Sequence, residues 1–240
     1  MDTQLVTPVP TPPSLELDLI ADFACPWSYL GKRSLERALG NLYGLPVRAL
    51  RWHGFRANAD GSILANGDQQ RTWRNHLATR LPPGVSVEFA QKSLAEAGEG
   101  LGIHFDFSRL EQLPDTREAH RLVALAAREE RHNEVADALF RAFFEQGRDI
   151  GDSTVIEAVA REVGLSDEAL GAFAKPEEAR DEIEADEKRL RGFGVTATPN
   201  LLINGRVLVP GPADVSTYVQ ALDQALFPQL AGPQDKKQLN

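Results

Sequence analysis

Residues 15–39 read LELDLIADFACPWSYLGKRSLERAL, and this segment predicts the architecture of the chain. Its first residues alternate apolar and polar side chains and then become fully apolar, which is typical of a strand with a buried face. From Ser28 onward the apolar spacing changes to that of a helix, with Leu35 and Ala38 on one face. Cys25 therefore lies where a strand passes into a helix.

The position of Cys25 has chemical consequences. The first turn of a helix leaves backbone N–H groups without partners and carries the positive end of the helix dipole, both of which stabilise a thiolate. Pro26 suits the first helical position, and the Ser28 hydroxyl is placed to donate to the sulfur or to cap the helix. Cysteines in such settings have pKa values of about 3.5–7.5, against about 8.5 when free. The simpler alternative is that Cys25 is a small buried hydrophobic residue.

Residues 25–32, CPWSYLGK, resemble the active-site segment of DsbA-family thioredoxin-fold proteins of the FrnE type. In that type a second cysteine usually stands at the place of Ser28. The same residues resemble kappa-class glutathione transferases and 2-hydroxychromene-2-carboxylate isomerases, whose segment matches Pro26, Ser28, Tyr29 and Leu30. The chain combines the cysteine of the first group with the serine of the second.

The two ends of the chain predict an α/β fold of the thioredoxin type. Val47–Phe55 is a second strand, expected to run parallel to the first through the intervening helix. Near the other end, Asn204-Gly205 separates the apolar runs 201–203 and 207–209, which predicts a hairpin. A final helix is expected to start at 211–212.

A large all-helical insertion domain is expected between these two halves. Its predicted helices are Ala119–Glu130, Glu134–Glu145, Thr154–Val163 and Glu177–Arg191. Residues 115–121 resemble the FrnE-type Asn-Thr-x-x-Ala-His segment, and the three families named above carry such an insertion. The predicted division is a disordered tail at 1–14, a thioredoxin-like domain at 15–59 and 193–228, the insertion at 60–192 and a polar tail at 229–240.

Composition argues against several classes of protein. The net charge of −9 opposes binding to nucleic acid, and no apolar run approaches the roughly 20 residues that a bilayer requires. The N-terminus lacks a secretory signal pattern, so we expect a cytoplasmic protein. A single cysteine excludes an intrachain disulfide, and none of the five histidines has metal-ligand spacing, so no metal site is expected.

A second group of candidate residues faces Cys25 in the families that the chain resembles. There the proline corresponding to Pro199 is cis, and the residue before it, here Thr198, pairs with a peptide-like ligand; from the residues alone an ordinary trans proline is the alternative. Asp22 is a candidate proton acceptor or else a strand-end or capping residue. Trp27 and Tyr29 flank the site, although at least one of them is expected to pack in the core.

This sequence matches the glutathione site of kappa enzymes only in part. Asp115 stands where those enzymes have an asparagine, and Pro212-Ala213 replaces their Ser-Asp pair, with Asp214 one step later. His120 lies in the family-like segment and is either a structural helix residue or part of the cleft. The predicted catalytic residues are Cys25 and Ser28, and the predicted substrate- or glutathione-binding residues are Pro26, Trp27, Tyr29, Thr198, Pro199 and Asp214.

Three functions remain open at this point. The first is monothiol thiol–disulfide exchange at Cys25, linked to glutathione, since no resolving cysteine is present. The second is a kappa-type glutathione-dependent isomerase or transferase acting on a small electrophile, and the third is a non-catalytic binding protein that keeps the fold. No tightly bound cofactor is expected; the expected partners are glutathione, a thiol-containing protein or a small electrophile, and the kappa resemblance implies a homodimer.

Overall fold

The computed structural model describes residues 14–41, 47–56 and 72–228, without the side chain of Arg48. Its strands are β1 (Leu15–Ala21), β2 (Val47–Gly54), β3 (Asn200–Ile203) and β4 (Val207–Pro210). Its helices are α1 (Pro26–Asn41), α2 (Trp73–Arg80), α3 (Val87–Leu101), α4 (Arg117–Ala127), α5 (His132–Phe144), α6 (Ser153–Val163), α7 (Asp167–Phe173), α8 (Arg180–Gly192) and α9 (Val215–Leu226).

The strands form one mixed sheet in the order β2-β1-β3-β4. β1 runs parallel to β2, which confirms the predicted strand-helix-strand unit, while β3 is antiparallel to both β1 and β4. The predicted hairpin joins β3 to β4 through Asn204 and Gly205, whose φ angles of 51° and 64° are those of a tight hairpin turn. Asn204 also accepts from the Glu16 N–H at 2.8 Å and so ties the turn to β1.

One face of the sheet packs against α1 and α9. The alternating burial of β1 follows from its alternating sequence, and its inward residues meet Leu35 of α1 and Leu222 of α9 in one apolar cluster. The expected helix start at 211–212 is wrong by a few residues: α9 begins at Val215, because the Asp214 side chain caps it by accepting from the Thr217 N–H at 2.7 Å.

Helices α2–α8 lie between β2 and β3 along the chain and form the predicted insertion. They enclose a second core in which Phe140 and Phe144 of α5 meet rings from several other elements. The four predicted helices correspond to α4, α5, α6 and α8, with ends displaced by up to three residues. The α/β thioredoxin-like fold with a helical insertion is therefore confirmed.

The predicted domain boundaries stay predictions. Both predicted tails, apart from Ser14, lie outside the described residues, at 1–13 and 229–240. The predicted boundary at 59–60 also lies outside them, within 57–71. Among the helices that the structure describes, none combines the length and the apolar character that crossing a membrane requires.

Candidate active site

Cys25 is the residue immediately before α1, and Pro26 is the first residue of that helix, as predicted. The Cys25 N–H donates to the Asp22 carbonyl at 3.1 Å, and the Cys25 carbonyl accepts from the Ser28 N–H at 3.1 Å. These two bonds turn the chain from β1 into α1 and leave the cysteine side chain at the wall of a cavity of about 240 Å³. The thiol is only 8% exposed.

The loop before β3 meets this thiol from the other half of the fold. The Thr198–Pro199 bond is cis, as the family resemblance implied, and the Cys25 thiol donates to the Thr198 carbonyl across 3.5 Å. Gly31 of α1 permits the approach, because a Cβ there would lie 3.1 Å from Pro199 Cγ. Sheet topology thus brings together residues that are separated by most of the chain.

Burial raises the pKa of the Cys25 thiol above its usual value, and the negative charge of Asp22 acts in the same direction. The hydrogen bonds from Ser28 and the Thr198 contact lower the pKa but do not offset burial. The expectation of a lowered pKa is therefore wrong for this structure. The physical reason is that a thiol that is 8% exposed loses the water that would solvate its thiolate.

Asp22 lies behind Cys25 in a buried polar cluster. The carboxylate is 4% exposed, so the alternative of a solvent-facing strand end is wrong. Its Oδ1 accepts from the Thr116 hydroxyl at 2.8 Å and from the Ala24 N–H at 3.4 Å, and His120 Nε2 lies 3.5 Å from it. A buried carboxylate needs such donors, and the Thr116 hydroxyl comes from the residue that precedes α4. The role of proton acceptor stays a prediction.

His120 is oriented toward Asp22 by β2. The Trp52 Nε1–H donates to His120 Nδ1 at 3.5 Å, and Nε2 lies on the side of Asp22. Gly54 provides the space, since a Cβ there would lie 2.7 Å from the His120 ring. His120 was expected to be either a structural helix residue or part of the cleft. The structure supports the structural role, because His120 is 2% exposed and its ring is absent from the wall of the cavity beside Cys25.

One face of α2 closes the cavity opposite Thr198. Trp73, His76, Leu77 and Arg80 have the spacing i, i+3, i+4 and i+7, which places them on the same side of a helix. The full lining consists of Ala24, Cys25, Pro26, Trp27, Trp73, His76, Leu77, Arg80, Ala197, Thr198 and Pro212. Four of the predicted site residues, Cys25, Pro26, Trp27 and Thr198, therefore share one cavity.

The remaining predicted binding residues have other roles. Tyr29 is 3% exposed, stacks on Phe140 at 4.9 Å and donates to Glu145 at 2.7 Å, so it belongs to the insertion core and its assignment to the ligand site is wrong. Asp214 caps α9 and is absent from the cavity wall, so its assignment to a glutathione site stays a prediction. Pro199 is buried beside α1 and supports the site from behind.

Sequence reasoning missed two sets of residues. Thr116 lies in the quoted segment 115–121, and its pairing with Asp22 requires the fold of the insertion to be known. The apolar-and-basic face of α2 was visible as an i, i+3, i+4, i+7 pattern from Trp73 to Arg80, a signal that would have found it. In the part of the chain that the structure describes, no three His, Cys, Asp or Glu side chains are grouped to hold a metal ion.

Several solved structures of known proteins have a similar fold. A probable DsbA oxidoreductase from Streptomyces coelicolor is 26% identical, with a TM-score of 0.72 over 92% of this chain and 93% of its own. The 2-hydroxychromene-2-carboxylate isomerase has a TM-score of 0.66 at 16% identity, covering 89% of this chain and 97% of its own. The cytosolic disulfide reductase DsbM from Pseudomonas aeruginosa, in a structure with GSH, has a TM-score of 0.57 at 22% identity, with coverage of 89% and 97%.

Sequence comparison agrees with the structural one. The protein YwbO of Bacillus subtilis is 22% identical over 214 residues, which cover 87% of this chain and 96% of YwbO. The model of the DSBA-like thioredoxin domain matches residues 16–223, a range that includes Cys25, Thr198 and the whole insertion. This chain therefore belongs to the family of DSBA-like thioredoxin domains.

Proposed function

We propose that this protein is a monothiol thiol–disulfide oxidoreductase that uses Cys25 as its nucleophile and glutathione as its cosubstrate. The observation that carries the proposal is the position of the thiol, which lines a cavity between the start of α1 and the loop before β3 and contacts the Thr198 carbonyl at 3.5 Å. Family membership supports redox chemistry, and the DsbM structure with GSH supports glutathione.

The proposed reaction has two exchange steps. Cys25 loses its proton, and the thiolate attacks the glutathionyl sulfur of a mixed disulfide; the S–S bond breaks and the substrate sulfur leaves as a thiolate, which is then protonated. A second glutathione thiolate attacks the sulfur bound to Cys25 and forms glutathione disulfide, while Cys25 leaves and recovers its proton. No cysteine besides Cys25 exists in the chain, so the second thiol must come from outside.

The raised pKa of Cys25 makes this reaction depend on pH. The resting enzyme holds a neutral thiol, so the rate of the first step should increase as the pH rises through and above the ordinary thiol pKa of about 8.5. The Ser28 hydroxyl stabilises the thiolate once it forms, because its hydrogen bond is one of the interactions that lower the pKa. Its role is to support the nucleophile.

The experiment is to trap the intermediate. The native protein is incubated with oxidised glutathione, and the mass of the intact chain is measured before and after addition of reduced glutathione. We expect a single glutathionyl adduct on Cys25 that reduced glutathione removes, and no adduct on Cys25→Ser. The matched control is Ser34→Ala, a small buried change on the same helix away from the cavity wall, which should keep the adduct.

Two results would contradict the proposal. One is a native protein that forms no adduct while the urea-unfolded chain does. The other is a Cys25→Ser variant that keeps full disulfide reductase activity with glutathione.

A second candidate is a glutathione-dependent isomerase or transferase, and the high pKa of Cys25 favours it. A neutral buried thiol can orient the thiolate of bound glutathione without reacting with it, as the serine of the kappa-type segment is placed to do. This candidate predicts that glutathione binds without forming a disulfide and that Cys25→Ser keeps binding. If glutathione binding is unchanged and no small electrophile is turned over, the remaining interpretation is a non-catalytic binding protein.

We also propose a cytoplasmic location, on two grounds. A protein whose turnover needs reduced glutathione suits a reducing compartment, and its one cysteine cannot form an intrachain disulfide. A fusion to a fluorescent protein, followed by fractionation of the cells, would test it.

A further inference from the structure

The peptide group between Ala24 and Cys25 is held at both of its ends. It consists of the Ala24 carbonyl and the Cys25 N–H, which lie in one plane because the peptide bond does not rotate freely. The N–H donates to the Asp22 carbonyl at 3.1 Å, and the Ala24 carbonyl accepts from the Trp73 Nε1–H at 3.0 Å. Rotation of this plane changes the φ angle of Cys25 and with it the direction of the thiol, so both bonds help to fix the sulfur.

These two bonds come from different parts of the molecule. The Asp22 carbonyl belongs to the turn that carries Cys25, whereas Trp73 is the first residue of α2 in the helical insertion. Ala24 is 3% exposed, and in the described part of the chain the Trp73 indole is the donor that its carbonyl receives. A buried carbonyl that loses its donor turns toward another donor or toward water, because an unpaired polar group is costly there.

Aromatic rings of the insertion fix the direction of this indole. Trp73 is 1% exposed and stacks on Phe107, with the ring centroids 5.2 Å apart. Phe144 of α5 meets the indole edge-on at 5.9 Å, and Phe107 in turn stacks on Phe105 at 5.0 Å. Such packing holds a large ring in one orientation. The Trp73 N–H is therefore a donor whose place is set before any substrate binds.

We propose that Trp73 is a positioning residue: through the Ala24 carbonyl, its indole N–H keeps the Cys25 sulfur directed toward the Thr198 carbonyl and the cavity. This inference rests on the proposed function, since it concerns how Cys25 meets a disulfide. Attack on a disulfide requires the three sulfur atoms to be aligned, and a displacement of about 1 Å can cost about a hundredfold in rate. Trp73 takes no part in the exchange of sulfur atoms.

A purely structural role for Trp73 makes a different prediction. The indole also lines the cavity, and burial raises the pKa of the Cys25 thiol. If the indole served only to exclude water, its loss would lower the pKa of Cys25 toward the ordinary value of about 8.5 and speed alkylation. Loss of position, in contrast, slows the reaction with a disulfide while the pKa of Cys25 stays where it is.

The test replaces the N–H and keeps the ring. Benzothienylalanine has a bicyclic ring of nearly the same shape as tryptophan, with sulfur in place of the N–H, and it is incorporated at position 73 alone. Trp73→Phe is a second variant. The control is Phe107→Leu, which loosens the packing around Trp73 and leaves the indole bond to Ala24 available.

Two rates are measured in the full-length protein and in each variant, after urea unfolding has shown that the variant folds. The first is the rate of adduct formation on Cys25 with oxidised glutathione at constant pH. The second is the rate of alkylation by iodoacetamide between about pH 7 and 10, which gives the fraction of thiolate. Because the chain has a single cysteine, both signals come from Cys25.

With benzothienylalanine at position 73 we expect adduct formation to slow by about tenfold. The pH profile of alkylation should stay within about 0.3 pH unit of the original. Trp73→Phe should show the same loss when rates are compared at equal thiolate fraction, since it also lacks the donor. Phe107→Leu should keep the rate of adduct formation within about twofold of the original, because the donor remains.

The outcomes separate this inference from the proposed function. If the original protein forms the adduct and both variants at position 73 form it as fast at equal thiolate fraction, the inference is overturned and the proposed function stands. If Phe107→Leu slows the reaction as much, packing of the ring is responsible. If the alkylation profile of the benzothienylalanine protein moves to that of the urea-unfolded chain, Trp73 acts by excluding water. Either of these two results also overturns the inference. If the original protein forms no adduct while the unfolded chain does, the proposed function and the inference fall together.

Discussion

The Thr116 hydroxyl donates to the Asp22 carboxylate at 2.8 Å, across 94 residues of sequence. Asp22 directly follows β1 on the way to Cys25, and Thr116 immediately precedes α4 of the helical insertion. Both residues are almost fully buried, at 4% and 3% exposure. This bond therefore couples the insertion to the segment that holds the reactive thiol, and it satisfies a carboxylate that has little access to water.

Removing the Thr116 hydroxyl should destabilise the protein. Thr116→Val keeps the shape and leaves the buried carboxylate with one donor fewer, so we expect the free energy of unfolding in urea to fall by about 1–3 kcal/mol. Thr116→Ser keeps the hydroxyl and should cost clearly less. Equal losses in the two variants would mean that the methyl group, and not the hydrogen bond, matters at this position.

A side chain at position 54 should displace His120. In Gly54→Ala the new Cβ would lie 2.7 Å from the buried His120 ring, and this overlap should lower the stability by about 1–3 kcal/mol. Gly100→Ala in α3 is the matched control, since its Cβ would meet no atom within 4 Å, and it should be neutral or stabilising. A Gly54→Ala protein as stable as the original would show that the ring moves freely.

Ser28→Cys should convert the monothiol site into a dithiol site. Ser28 lies in the first turn of α1, and its N–H contacts the Cys25 carbonyl at 3.1 Å, the arrangement in which a Cys-x-x-Cys pair closes a disulfide. After mild oxidation we expect no free thiols in a thiol titration and a chain mass lower by two hydrogens. Ser34→Cys, farther along the same helix, should keep both thiols. Two free thiols in oxidised Ser28→Cys would contradict the geometry.

His53 should make stability depend on pH near neutrality. Its ring lies 2.6 Å from Asp186 Oδ2 and 2.9 Å from Asp18 Oδ1, and although burial opposes the charge, these two contacts raise the pKa of His53. Because the pKa of His53 is raised on folding, its protonation contributes fully to stability below the unfolded pKa of about 6.5. This contribution is lost as the pH rises through the folded pKa. The free energy of unfolding should therefore fall as the pH rises above about 6.5.

The matched variant for this effect is His53→Gln, which should lose the pH dependence in that window. The cluster also includes Arg51 beside Asp18 and Arg189 beside Asp186. Since contacts with His53 help to lower the pKa of both aspartates, their contribution is lost only in acid, as the pH falls through their folded values. Identical pH curves for His53→Gln and the original protein would exclude a contribution from this histidine.

Much of the fold could be predicted because its signals are local. The alternation in 15–20, the helix spacing after Cys25 and the Asn204-Gly205 turn each reflect a preference of a few neighbouring residues, and the structure has the expected element in each place. The cis bond before Pro199 was predicted from the family resemblance together with Cys25, and base rates alone would have favoured trans.

The environment of the thiol could not be predicted in this way. The sequence places Cys25 at a helix start, which favours a thiolate, but the opposing effect is burial, and burial depends on what α2 and the loop before β3 contribute from elsewhere in the chain. Tyr29 was assigned to the site because it is four residues from the cysteine, yet the turn of α1 directs it to Phe140 in the insertion core.

The sequence by itself thus specified the order of strands and helices and the position of the single cysteine, because hydrophobic spacing, turn residues and composition act over short distances along the chain. Tertiary packing decided which distant groups surround that cysteine: the Thr198 carbonyl, the face of α2 that bears Arg80, and the Thr116 hydroxyl on Asp22. The physical reason is that burial, charge and hydrogen bonding at the thiol depend on neighbours in space, and only the folded chain brings those neighbours together.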